Sequence, residues 1–302
     1  MERYTKPVIN WPLELTDGDC GYLVPRGAAD KADERVITYA WILDRALFGE
    51  VYWGLLPKYF MSMSQGSGVL IGTLIPSKAI SPNLIKPGDI DVLVIPFEGD
   101  ELILSHALVI EIKIIRASFM NQQKSPNEFG FSQAKGLLGA GFPYVAVGHL
   151  IVSDHSPKEA WREIGMVTIE DAETGLCSPM TMIKHDCLPL DLLNRAHGRL
   201  KKQCPDDAIG HFAAYVGGLG VTMPEVSAVQ KNSNIDKELL DSIYEYYQMH
   251  YKKFLKTWKF SPSFKKTILS FFTSTTKSGS YLLFNGFLAF LITFTSTVYL
   301  PS

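Results

Sequence analysis

Residues 89–116 read DIDVLVIPFEGDELILSHALVIEIKIIR, and this stretch decides the fold. DIDVLVIPF (89–97) and LILSHALVIEIKIIR (102–116) are rich in β-branched residues, and the polar EGDE (98–101) between them gives the pattern of two long antiparallel strands joined by a turn. Side chains alternate faces along a strand, so Glu111 and Lys113 project from one face while Ile110, Ile112 and Ile114 project from the other. With the turn centred near Glu101, Asp91 lies across from Glu111.

The flanking sequence extends the sheet. GSGVLIGTLIP (66–76) is β-rich and bounded by glycine, which predicts a strand before the hairpin. From about 29 to 60, Val36, Ala40, Leu43, Leu47, Leu55 and Leu56 recur at helical spacing, with Glu34, Asp44 and Glu50 on or beside that helix. After the hairpin the polar MNQQKSPNEFGF leads to a helix from Ser132 to about Gly141, and FPYVAVGHLIVSD (142–154) reads as a buried strand. Strand, strand, helix, strand is the order of an α/β domain with a mixed central sheet flanked by helices. Beyond 155, HSPKEAWREIG, DLLNRAHGRLKKQC and KELLDSIYEYYQMHYKKFLKTW read as helical. The expected organisation is an irregular lead-in (1–28), the α/β core (29–154), a mainly helical C-terminal region (155–277) and an apolar tail (278–302).

That tail, SGSYLLFNGFLAFLITFTSTVYLPS, carries no charge over a length that matches a bilayer crossing. Lys252, Lys253, Lys256, Lys259, Lys265, Lys266 and Lys277 precede it, so the expectation is a C-terminal transmembrane helix with a cytoplasmic body on the inner face of the cell membrane. The N-terminus lacks the apolar stretch of a secretory signal. A formal net charge of -2 excludes a global basic field, so any nucleic-acid contact must come from a local patch. Cys20, Cys177, Cys187 and Cys204 form no CxxC pair and signal neither zinc nor redox chemistry. His149 reads as a core or strand-end residue, and the remaining histidines lack metal-ligand spacing. GLLGAG (136–141) reads as a packing surface and GGLG (217–220) as a turn.

Two carboxylates as close as Asp91 and Glu111 repel, and each has a raised pKa unless a cation lies between them. Oxygen ligands favour Mg2+ or Mn2+ over zinc, with the backbone carbonyl of Ile112 as a third protein donor. Such an ion activates water and polarises a phosphate, and the ammonium of Lys113 orients that water and stabilises developing charge.

The stretch from about 66 to 154 resembles the PD-(D/E)XK phosphodiesterase superfamily, which includes restriction endonucleases and archaeal Holliday-junction resolvases. The matching positions are Asp91 at the start of one core strand, Glu111 and Lys113 as ExK on the next, and Gln133 in FSQAKGLL on the following helix. The resemblance implies a restriction endonuclease-like core in which Asp91 and Glu111 bind metal, Lys113 acts on the water and Gln133 positions the phosphate or the lysine. It also implies an added acidic ligand on the first helix, with Glu34 the candidate and Asp44 and Glu50 its rivals. Asp89 shares a strand face with Asp91 and competes for its role.

The expected function is metal-dependent hydrolysis of phosphodiester bonds in DNA, in a membrane-tied endonuclease of restriction or antiviral defence. Two alternatives stand beside it: a catalytically inactive PD-(D/E)XK-fold module that binds nucleic acid or protein, and a membrane-anchored scaffold. Expected partners are DNA, the membrane through 278–302, and a second copy in a homodimer. Arg195, Arg199, Lys201 and Lys202 form the candidate basic patch for a nucleic-acid backbone. The Lys-rich helix expected at 252–266, interleaved with Tyr246, Tyr247, Tyr251, Phe254 and Trp258, reads as a membrane-facing surface before a nucleic-acid one.

Overall fold

The computed structural model describes residues 3–14, 34–82, 84, 88–167, 169–171, 174, 176–217 and 223–259. The apolar tail 278–302, Cys20, most of GGLG and the lysines beyond Lys259 lie outside the described residues. Among the described residues no helix is long and apolar enough to cross a membrane. The described residues divide into two units, one of 3–153 with 191–259 and one of 154–190.

The first unit is α/β, with a large mixed sheet flanked by helices. Its strands are β1 (Thr5–Pro7), β2 (Leu13–Glu14), β3 (Ser67–Pro76), β4 (Asp89–Glu98), β5 (Glu101–Ile103), β6 (Leu108–Arg116), β7 (Tyr144–Val152), β12 (Ile209–Tyr215), β13 (Glu225–Ser227) and β14 (Phe254–Trp258), the numbers β8–β11 belonging to the second unit. They lie in the order β13-β12-β7-β6-β4-β3-β14-β2, with β5 pairing β4 and β1. β6, β7 and β12 run parallel, whereas β3, β4 and β6 are antiparallel. The stretch 102–116 is not one strand: β4 turns through Gly99 into β5, and a 3-10 turn at Leu104–His106 separates β5 from β6.

Residues 34–62 form three helices and not one: α1 (Glu34–Leu43), α2 (Arg45–Leu55) and α3 (Pro57–Ser62). Asp44 starts the second, its side chain accepting from the Leu47 N–H at 3.1 Å as an N-cap does, and Pro57 starts the third. Next come α4 (Ser77–Ile80), α5 (Phe131–Gly139), α6 (Leu188–Gln203) and α7 (Lys237–His250).

Strand alternation divides the apolar residues between two cores. Val92, Ile110, Ile112 and Phe212 pack with Trp41 of α1 and Phe48 of α2. On the other face Leu93, Val109 and Val147 pack with Phe131 of α5, Leu200 of α6 and Tyr247 of α7. Each fully buried large side chain contributes about 1.5–3 kcal/mol. Gly148 of β7 lets Ile112 and Phe212 close over it, because a Cβ there would lie 2.3 Å from Phe212 Cζ. Gly148→Ala is therefore expected to destabilise the protein by about 1–3 kcal/mol, read as a lower midpoint in urea.

Three expectations change here. The lead-in contributes β1 and β2 to the sheet, since Thr5–Pro7 pair with β5 and Leu13–Glu14 with β14. The region after 155 is not mainly helical, because β12, β13 and β14 complete the sheet. The Lys-rich helix is absent among the described residues: α7 ends at His250 and FLKTW is the strand β14, in which Lys256 Nζ sits 4.3 Å from the ring centre of Trp11 and 4.0 Å from that of Trp258. Trp11 and Trp258 are half-buried against the core and Lys256 is held over their rings, so it offers little to a membrane or a phosphate.

The second unit is described over 154–167, 169–171, 174 and 176–190. HSPKEAWREIG is not a helix there: a 3-10 turn at Lys158–Ala160 runs into β8 (Arg162–Met166), which pairs antiparallel with β11 (Thr181–His185). β9 (Ile169–Asp171) and β10 (Leu176–Cys177) form a second short ladder. Gly165 fits beneath Met180, whose sulfur would lie 2.4 Å from a Cβ at that position.

Candidate active site

The register of β4 against β6 pairs Val92 with Ile110, and its next step sets Asp91 opposite Glu111. The ladder stops there. The Ile112 N–H donates instead to Asp91 Oδ2 at 2.7 Å, so a carboxylate replaces a backbone carbonyl as its acceptor. Because N–H and C=O of one strand residue point to the same neighbour, the Ile112 carbonyl also faces the β4 side, past the last ladder pair.

Glu111 is 1% exposed, and its Oε1 accepts from Lys113 Nζ at 2.8 Å. Its Oε2 is buried with no hydrogen-bond partner among the described residues. Removing a carboxylate oxygen from water without compensation is costly. Burial raises the carboxyl pKa of Asp91, and Glu34 adds to that rise against the lowering by the Ile112 N–H, by Lys113 and, least, by the neighbouring Glu111 carboxyl. Burial likewise raises Glu111, with Asp91 as the next cause. Burial alone lowers Lys113, but the surrounding carboxylates outweigh it and hold the ammonium charged. Either a shared proton or a cation relieves such a pair.

Other expected residues separate into groups. Glu34 is the exposed first residue of α1, which packs on β6 and β7, and its charge acts on Asp91, Glu111 and Lys113 together. Its rivals fall away: Asp44 caps α2, and Glu50, raised to about 8 by burial, has Asp44 as its charged neighbour. Asp89 is exposed and pairs across Pro76, so Asp91 alone of the two engages β6. Gln133 lies in the first turn of α5, which packs on β6 and β7, and its Oε1 is buried without a hydrogen-bond partner among the described residues.

Arg195 and Arg199, expected at a nucleic-acid backbone, are each engaged by the loop after β6. Arg195 donates to the Gln122 carbonyl and to its Oε1, and Arg199 donates to the Lys124 carbonyl and to Gln123 Oε1. Of that patch, Lys201 and Lys202 remain exposed.

Two residues support the site: Gly130, which no sequence pattern singles out, and His149, the core histidine expected from its apolar strand. Gly130, at φ +90°, caps α5, and a Cβ on it would lie 3.0 Å from Glu111 Cγ and 3.7 Å from Lys113 Cε. An L side chain there meets both the strain of positive φ and the site itself. His149 is the ladder partner of Lys113, fully buried, with Nε2 3.3 Å from the Phe129 carbonyl just before Gly130. Burial first, and the Lys113 charge among the further causes, lower it to about 4, so it is a neutral core histidine at physiological pH.

Among the described residues no group of three or more His, Cys, Asp or Glu side chains could hold a metal ion. The donors at hand are thus two carboxylates with a strand carbonyl beside them. That set suits a hard ion that keeps waters and takes one or two protein carboxylates, and not a zinc cage. In comparisons with protein-family models, with curated proteins and with solved structures, nothing matches this chain.

Proposed function

We propose that this protein is a metal-dependent phosphodiesterase acting on nucleic acid, DNA foremost, with a restriction endonuclease-like core of the PD-(D/E)XK type. The observation that carries the reading is the buried Glu111 carboxylate, bonded to Lys113 on one oxygen, orphaned on the other, and set against Asp91.

Asp91 and Glu111 would hold Mg2+ or Mn2+, with the Ile112 carbonyl as the backbone donor. Once bound, that ion supplies Lewis-acid activation of a water and of the scissile phosphate. Lys113, held charged by Glu111, orients the attacking water and stabilises the charge that develops on the phosphate oxygens. Gln133 brings an amide whose carbonyl oxygen has no partner among the described residues and whose NH2 can meet a phosphate oxygen. The α5 N-terminus at Gly130 favours negative charge beside the lysine.

The test is cleavage of plasmid and linear DNA by the full-length chain with Mg2+, Mn2+ or EDTA. Cutting that needs the metal supports the reading. Binding of DNA without cutting under every metal condition would favour the catalytically inactive module instead, and absence of both leaves the scaffold. Membrane association through 278–302 and a role in defence are separate proposals, the first read by fractionation of cells expressing the chain with and without that tail.

A further inference from the structure

We propose that the loop joining β6 to α5, residues 117–130, is a wedge that opens duplex nucleic acid beside the site, with Met120 as the inserted side chain. This rests on the nuclease reading above. Met120 is 88% exposed, the most exposed large apolar side chain among the described residues. A single exposed methionine is ordinary, but this one caps a loop held in place from several sides. Ala117 N–H donates to the Val152 carbonyl, and Ser118 and Asn121 exchange backbone hydrogen bonds across the tip while Asn121 N–H also donates to Ser118 Oγ. Gln122 Nε2 donates to the Phe119 carbonyl. Arg195 and Arg199 then tie Gln122, Gln123 and Lys124 to α6, and His149 meets Phe129 at the far end.

These ties hold an apolar tip out in water, 88% exposed among the described residues. The loop starts at Ala117, directly after the strand that carries Glu111 and Lys113, and ends at Gly130, where an added Cβ would lie 3.0 Å from Glu111 Cγ. Asn121 and Lys124 beside the tip are exposed. An amide reads base edges and a lysine meets phosphates, while an apolar residue between them enters a base step and unstacks it. A nucleic-acid duplex is the occupant whose chemistry matches all three.

The experiment uses full-length protein and duplex DNA with 2-aminopurine at successive positions, binding in EDTA and cutting in Mg2+. Wild-type binding is expected to raise fluorescence at one step. Met120→Ala is expected to abolish that rise and to slow duplex cutting about tenfold or more, the scale of losing one base contact. The variant's thermal midpoint should be unchanged, since the side chain is exposed, and Met120→Leu should retain both signals. A duplex with a mismatch at the responsive step should restore cutting by Met120→Ala, because unstacking a mismatched base costs less. If Met120→Ala cuts and brightens the duplex like the wild type, the wedge is wrong while the nuclease stands. If the wild type neither binds nor cuts DNA, both fall together.

Discussion

Lys113→Met is expected to slow Mg2+-dependent cleavage by about a hundredfold to a thousandfold, the range seen when one preorganised electrostatic donor is removed from a reacting centre. Methionine keeps the length and the apolar stem but removes, with the charge, the hydrogen bond to the buried Glu111 Oε1, so the rate is read only in a variant shown to be folded. That charge has no substitute nearby: among the described residues Lys113 is the cation bonded to Glu111, and it sits against Asp91 and Glu34 as well. Lys113→Arg should rescue poorly, since a planar fork cannot take the place of a point charge beside Gly130, a position so close to the lysine that a Cβ added there would lie 3.7 Å from Lys113 Cε. The measurement is the single-turnover rate on plasmid DNA at saturating protein, beside a circular-dichroism melt to show that each variant is folded. An unchanged rate in folded Lys113→Met would remove the lysine from the chemistry and the PD-(D/E)XK reading with it.

What the sequence disclosed and what it hid have separate physical causes. Asp91, Glu111 and Lys113 were legible because strand alternation and a turn centred on Glu101 are local rules, and the observed pairing of Val92 with Ile110 obeys them. The excursion at Leu104–His106 lies inside that hairpin yet leaves the register of β4 against β6 intact. β12 was missed although IGHFAAY is a short apolar run between Asp-Asp and Gly-Gly, the form of a buried strand. β14 was hidden for another reason: the helical spacing of α7 runs on through FLKTW, and only its pairing with β3, a partner nearly two hundred residues earlier, makes it a strand. The basic residues misled most. Lys256 stacks between tryptophans, while Arg195 and Arg199 hold backbone carbonyls, because a long cation reaches partners that no spacing rule can name. The tie from His149 through Phe129 to Gly130 is likewise tertiary and left no trace in the sequence.

Asp91→Asn is expected to trade function for stability, and pH separates the two. In the folded protein Asp91 is pushed up to about 6 and Glu111 to about 7, from ordinary values near 4. The native state therefore binds more protons than the unfolded chain between about pH 4 and pH 7, and metal-free stability falls as pH rises through that window and levels off above it. Asparagine keeps an oxygen for the Ile112 N–H and removes the charge that repels Glu111, leaving the bond from Lys113 to Glu111 in place. In EDTA at pH 8 the variant should thus be more stable than the wild type by about 1–3 kcal/mol, and at pH 5 the gap should narrow. Mg2+ should raise the wild-type midpoint at pH 8, since an ion that binds only the folded site stabilises it, and should leave Asp91→Asn nearly unmoved and unable to cut. Urea melts of both proteins at the two pH values, with EDTA and with Mg2+, read all of this at once. A wild type that is the more stable protein at pH 8 in EDTA would mean that the two carboxylates do not oppose each other in the folded chain, and the case for a cation between them would go with that repulsion.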